Sequence, residues 1–242
     1  MAAVACQGHH PAALTAQPPG PQATLAAVPA GLRVLYADAA LLVLDKPAGL
    51  LAVPGRGEDK QDCLSARAQA AYPDALVVHR LDMATSGLVV MGRGIEAQRA
   101  LGLAFEQRRV HKRYVAVVNG LLANPQPDNG WNTIDLPLLL DWLNRPRSAV
   151  NHPHGKPSVT HWRLATEPAP LPGTTRLDLE PVTGRSHQLR VHLQAIDHPI
   201  VGDPLYAAPT GAVDRMLLHA RALRIPHPVT GAQMRFESSC PF

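Results

Sequence analysis

The apolar run Leu88-Val89-Val90-Met91, reached through Gly87, reads as a strand buried on both of its faces. Such a strand obliges the chain to build a sheet with a packed layer on each side. A second strand of the same kind follows, where Tyr114, Ala116 and Val118 alternate with Arg113, Val115 and Val117. In a third, Thr175, Leu177 and Leu179 alternate with Arg176, Asp178 and Glu180, which predicts a half-exposed strand. Leu32 to Tyr36 and Leu41 to Leu44 flank an Asp/Ala turn and read as a hairpin. Helices are predicted over Asp62 to Ala71 and over Ile95 to Gln107, the second with Ile95, Leu101 and Phe105 as core residues. Ser186 is placed to cap a third helix, in which Leu189, Leu193 and Ile196 fall at i, i+4 and i+7. Because strands and helices do not alternate regularly, the pattern favours a mixed α+β fold over a doubly wound parallel sheet.

A chain of 242 residues makes one large domain or two small ones, and folding buries about 70 to 75% of its extended surface, so no covalent staple is needed. Residues 1–30 are rich in Ala and Pro and carry neither Lys nor Arg, which predicts a disordered tail rather than a signal peptide and leaves 31–242 as the folded domain. No stretch approaches the roughly 20 apolar residues of a membrane span. Cys6, Cys63 and Cys240 are too sparse for a disulfide framework, and the chain reads as cytoplasmic. Twelve histidines invite a metal, yet none of the pairs considered, such as His187 and His192, has the i, i+4 spacing of a helical zinc site. Structural or partner-contacting roles fit them better. The net charge of +4 permits a nucleic-acid partner, and its clustering is more telling: Arg108, Arg109, His111, Lys112 and Arg113 crowd one stretch, and Arg145, Arg147, His152, His154 and Lys156 another.

Ahead of the first strand stands His79-Arg80-Leu81-Asp82-Met83-Ala84-Thr85-Ser86-Gly87. A carboxylate at the mouth of a strand reaches a cleft while its backbone stays fixed, which suits a nucleophile or an acid/base group. Taken alone, Asp82 reads more readily as a turn-capping residue, since Asp favours turns.

Two further segments change that reading. Lys112-Arg113-Tyr114-Val115-Ala116-Val117-Val118 and Thr183-Gly184-Arg185-Ser186-His187-Gln188-Leu189-Arg190-Val191, together with the Asp82 segment, resemble the three motifs of the RluA family of pseudouridine synthases. The resemblance continues through Val43 to Leu50, His198 to Asp203 and Leu217 to Ala220, so it spans roughly residues 31 to 242 in the family's order. Val53 to Arg56, Asp141 to Pro146 and Gly155 to Pro157 are similar to the A-type branch in particular.

The resemblance implies a single catalytic domain built on a mixed, largely antiparallel sheet with a central RNA-binding cleft. It also implies a reaction in which the N-glycosidic bond of a uridine breaks, the uracil turns, and carbon 5 rejoins the sugar. No atom is gained or lost, so no cofactor and no metal is needed. The family's catalytic aspartate corresponds to Asp82, and attack on the sugar, attack on the base and removal of a sugar proton are all open to it. Arg185 matches the motif arginine and is expected to pair with Asp82. Tyr114 matches the tyrosine that stacks on the target base. Arg80 is the candidate to fill the gap left by a flipped base, and Leu218 the apolar residue against the uracil. His79, Thr85, Lys112 and Arg108 complete the expected RNA contacts. The implied substrates are a hairpin of large-subunit ribosomal RNA and a tRNA anticodon stem-loop, handled by a monomer. Where the family has glycine before His-Pro-Ile, this chain has Asp197, a residue that tolerates left-handed backbone better than most.

Two other classes compete. An RNA-binding protein without chemistry places no demand on Asp82, Tyr114 and Arg185 together. A glycoside or nucleoside hydrolase needs a second carboxylate about 5 to 9.5 Å from the first, for which Glu180 is the one candidate.

Overall fold

Alternate residues of the apolar strand point into different cores. A computed structural model describes residues 31–123, 130–209, 211 and 213–242, and the expected tail over residues 1–30 lies outside the described residues. In chain order the elements are β1 (Arg33–Ala37), β2 (Leu41–Lys46), α1 (Leu64–Ala71), β3 (Ala75–Val77), β4 (Ser86–Arg93), α2 (Ile95–Glu106), β5 (His111–Asn119) and β6 (Asn132–Asp135). There follow β7 (Leu138–Leu140), β8 (Ser148–Val150), β9 (Val159–Leu164), β10 (Thr174–Pro181), α3 (Gln188–Ala195), β11 (Leu218–Pro226) and β12 (Gln233–Glu237).

The main sheet runs β1-β2-β4-β11-β5-β10-β9-β6, with β3 also on β4 and β12 also on β11. Its pairings are antiparallel except for β4 with β11, which run parallel at Ser86/His219 and Gly87/Ala220. The fold is therefore α+β on a mixed, largely antiparallel sheet. The pair β7–β8 forms a separate small hairpin.

On the front face, Val89 and Met91 join Leu42 and Leu44 under Leu64 and Ala68 of α1. On the rear face, Leu88 and Val90 join Leu41 and Val43 under Leu101 and Ala104 of α2. A second front-face core joins Ala116, Val118, Leu177 and Leu179 to Leu189 and Leu193 of α3. Tyr114 packs against both front-face cores, so it stands where they meet.

Gly87 makes the parallel junction possible. Its φ is +110°, and an added Cβ would lie 2.3 Å from the backbone oxygen of Ala220. Only a glycine lets β4 approach β11 closely enough to set the preceding loop above the sheet centre.

The hairpin β1–β2 turns at Asp38, whose carboxylate accepts the N–H groups of Ala40 and Leu41 at 2.8 and 2.7 Å. Two local expectations need correction. Ile95 is 49% exposed, because α2 turns Ala97, Leu101 and Ala104 inward from its first residue on. Ser186 does not cap α3. His187 takes the N-cap position in left-handed backbone (φ 57°), and the Gln188 carboxamide oxygen accepts the Arg185 N–H at 3.0 Å. At the other end of α3, Asp197 adopts φ 63°, the left-handed position anticipated for it, and His198 N–H donates back to Leu193 O at 3.0 Å.

Candidate active site

Leu81 is buried while Asp82 is half-exposed, so the segment before β4 dips its apolar residue into the front core and raises the carboxylate above it. From below, the segment is held by Lys46. Its Nζ donates to the carbonyls of Pro47, Leu50 and Met83 at 2.8, 2.7 and 3.0 Å. Three acceptors use all three ammonium protons, so the geometry asks for the charged form. Burial pulls the Lys46 pKa down to about 8, against the opposing pull of Asp82. Gly49 N–H donates to the same Met83 carbonyl, and Thr85 N–H to Asp82 O, which closes the loop as a tight turn.

Above the loop, α3 supplies the arginine that faces Asp82. Arg190 Nη1 donates to Asp82 Oδ2 at 3.0 Å, while its Nε and Nη2 form a two-pronged bond to Asp203 at 2.7 and 2.8 Å. Arg190 and Asp203 are almost wholly buried. The pairing expected of Arg185 is therefore made by Arg190. Arg185 sits in the exposed turn before α3, where its Nη2 reaches Pro157 O at 3.4 Å. Arg190 lies within the helix, on the side that packs against the sheet.

His187 comes next to Asp82, with Nε2 3.8 Å from Oδ2. Its tautomer follows from its neighbours. Ser148 N–H donates to Tyr206 Oη at 2.7 Å, so the Tyr206 proton is free to be donated to His187 Nδ1 at 2.8 Å. Nδ1 is then an acceptor, and the ring proton sits on Nε2, facing Asp82. Burial lowers the His187 pKa against the opposing pull of Asp82, which fits a neutral ring. Tyr206 also lies under the Arg190 guanidinium, 5.0 Å from its ring centre.

Asp82, His187 and Arg190 line a cleft of about 350 Å³ together with His79, Arg80, Thr85, Lys112, Tyr114, Arg185 and Leu218. Of the catalytic and RNA-contacting residues anticipated from the resemblance, Arg108 alone falls outside that lining. The Tyr114 phenol is pushed up in pKa by burial and by the Asp82 carboxylate, which keeps it neutral. Lys112 Nζ reaches Thr183 O at 3.4 Å, and burial lowers its pKa to about 8. Arg80 stands exposed at the rim.

His79 is engaged by the fold: Nε2 accepts Val90 N–H at 3.0 Å and the ring stacks on Phe105 at 4.6 Å. Burial, then the charge of Lys112, drives its pKa down to about 3. Glu180 pairs with Arg113 outside the cleft lining, and Asp203 is held within the Arg190 bond. No carboxylate besides Asp82 lines the cleft among the described residues. A pair of free carboxylates, as a glycosidase requires, is not formed there.

Lys46, His187, Arg190, Asp203 and Tyr206 were not singled out as site residues from sequence. Arg190 carried a legible signal, a cation between Leu189 and Val191 on a helix whose apolar stripe faces inward. The partners of Tyr206 carried none, since Ser148 and His187 are brought to it only by the fold.

Residues 40–195 match the family model described as RNA pseudouridylate synthase. The dual-specificity RNA pseudouridine synthase RluA of Escherichia coli K12 is 46% identical over 213 residues, covering 87% of this chain and 94% of its own. The protein of the same name from Vibrio vulnificus CMCP6 is 47% identical over 199 residues, 81% of this chain and 78% of its own. Among solved structures, human RNA pseudouridylate synthase domain containing 1 superposes with a TM-score of 0.71 at 28% identity, over 87% of this chain and 84% of that one. With this match across most of its length, and with the sheet and cleft described above, the chain belongs to the RNA pseudouridylate synthase family, whose enzymes isomerise uridine to pseudouridine in RNA.

Proposed function

We propose that the enzyme modifies uridines in two structured RNAs, a hairpin of large-subunit ribosomal RNA and a tRNA anticodon stem-loop, with Asp82 as the catalytic carboxylate. The observation that carries this reading is the fixing of one Asp82 oxygen by Arg190, which leaves the other to the cleft lined by Tyr114 and Leu218. Attack on the sugar, attack on the base and removal of a sugar proton all require the same thing: an ionised oxygen held still close to the glycosidic bond. The glycosidic bond breaks, the freed uracil turns, a bond forms from the sugar to carbon 5, the proton on carbon 5 leaves to water and nitrogen 1 gains one. Reactants and product balance without a co-reactant.

The target base is flipped out of its stack at a cost of a few kcal/mol. It is received between Tyr114 and Leu218, where stacking returns about 1 to 3 kcal/mol. Arg80, at the rim, enters the vacated stack. Lys112 meets the backbone of the flipped nucleotide, and Arg185 and Arg108 meet phosphates farther out. Thr85 lies beneath the sugar. The scheme draws on no second copy of the chain, so the enzyme is read as a monomer, with the cytoplasm as its place of action.

The test is tritium release from a ribosomal hairpin and an anticodon stem-loop, each labelled at uracil carbon 5. Release from both is expected. Release from only one would overturn the dual range, and tight binding without release from either would favour an RNA-binding protein that performs no chemistry.

A further inference from the structure

Beside the cleft, the β7–β8 hairpin exposes apolar side chains that contribute to no core. Trp142 is 66% exposed and Leu143 92%. The tip that carries them is well ordered by its own bonds. Asp141 accepts the Asn144 N–H at 3.1 Å and its side-chain amide at 2.8 Å, and Arg147 N–H donates to Asn144 O at 3.0 Å. The Arg145 guanidinium lies 3.9 Å over the Trp142 ring and its Nε donates to Trp142 O at 3.0 Å. One face of the indole is thus covered by a cation, and the side chain keeps most of its surface for something else.

The hairpin is tied to the catalytic groups. Arg147 lies 5.3 Å from the Tyr206 ring centre, and Ser148 N–H bonds the Tyr206 hydroxyl that orients His187. At about 3.4 Å per residue, Trp142 lies roughly 7 Å beyond the Leu140/Ser148 rung. Added to the Ser148–Tyr206–His187–Asp82 contacts of 2.7, 2.8 and 3.8 Å, that distance keeps it within a few nucleotides of a base held at Asp82.

We propose that the Trp142–Arg145 tip is a second base-stacking platform, which grips an unpaired nucleotide of the substrate RNA flanking the target. The proposal rests on the RNA substrate argued above and extends it to a surface outside the cleft. Charge favours nucleic acid as the occupant. Arg145 and Arg147 belong to the tip itself, Lys156 joins the hairpin at Leu138, and the tip's acid, Asp141, is taken up by Asn144. An aromatic ring paired with a guanidinium is what a base prefers to stack on without regard to sequence. By holding a neighbouring nucleotide out of its stack, the platform stabilises the opened RNA that base flipping requires.

The experiment uses the full chain and an RNA stem-loop. Trp142→Ala is expected to raise KM about tenfold, in line with the loss of one base–aromatic stack, while kcat stays close to wild type. Trp142→Phe, which keeps a ring, should retain most of the affinity. Adding the stem-loop should quench tryptophan fluorescence in the wild type, and the quench should be lost in Trp142→Phe although Trp131 and Trp162 remain. Unchanged KM and unchanged quenching would overturn the proposal. So would a wild type that sediments as a dimer beside a monomeric Trp142→Ala, since the tip would then serve a second copy of the chain. Quenching reads binding and needs no turnover, so a failure of the isomerase reading would show as absent tritium release and leave the fluorescence result decisive for the tip.

Discussion

Arg190 bridges two carboxylates, and removing it should separate stability from catalysis in a way that no exposed arginine of this chain can. Arg190→Met keeps an unbranched apolar stem but leaves Asp203 buried without its cation. Asp203 retains only the backbone N–H groups of Leu205 and Tyr206, at 2.9 and 3.2 Å. Breaking a buried pair by removing one partner costs about 3 to 5 kcal/mol, and in a domain of this size that lowers Tm by roughly 6 to 20 °C. Adding Asp203→Asn removes the stranded charge and keeps an acceptor for those N–H groups, so the double variant should recover most of the lost stability. Its tritium release should stay abolished, because Asp82 still lacks the guanidinium that fixes its rotamer. Arg185→Ala is the control and should unfold within about 0.5 kcal/mol of wild type. Thermal denaturation and tritium release on the three variants beside the wild type decide the matter. An Arg190→Met protein that melts with the wild type, or a double variant that regains turnover, would refute the bridging argument.

Three other outcomes follow from the same geometry. Burial lowers the Lys112 pKa to about 8, so its charge is held well below that pH and is lost as pH rises through it. KM for RNA should rise as pH passes about 8, and Lys112→Ala should remove that rise. Gly87→Ala places a Cβ against Ala220 O at positive φ and should cost at least about 3 kcal/mol by urea unfolding; a variant as stable as wild type would mean that β4 and β11 need not approach so closely. Tyr206→Phe leaves Ser148 N–H without its acceptor, at about 1 to 3 kcal/mol, and frees the His187 tautomer. Its kcat should therefore depend on pH differently from wild type, and an unaltered profile would remove His187 from the site.

Sequence periodicity located β4, β5 and α3 because each buries an alternating or i, i+4 set of Leu and Val, and burial is what periodicity reports. It failed at Ile95, where helix phase is set by the close packing of Ala97 and Ala104 rather than by side-chain size. Asp82 and Tyr114 line the cleft, and their place there was legible because the motifs carry them. The partner of Asp82 was not, since Arg185 and Arg190 share one motif and only the start of the helix at Gln188, after a left-handed His187, decides which turns inward. Ser186 was misjudged for the same reason: the N-terminus of α3 is closed by Gln188 reaching back to Arg185.

The central claim is that the Asp82 oxygen left to the cleft performs the isomerisation, and nucleoside analysis under single-turnover conditions tests it most directly. Asp82→Asn keeps the size of the side chain and an acceptor for Arg190 but removes the charge. After incubation with excess enzyme and digestion of the RNA, the wild type should yield pseudouridine at the target and Asp82→Asn none, with RNA affinities of the two proteins about equal. Pseudouridine accumulating with Asp82→Asn would contradict the account.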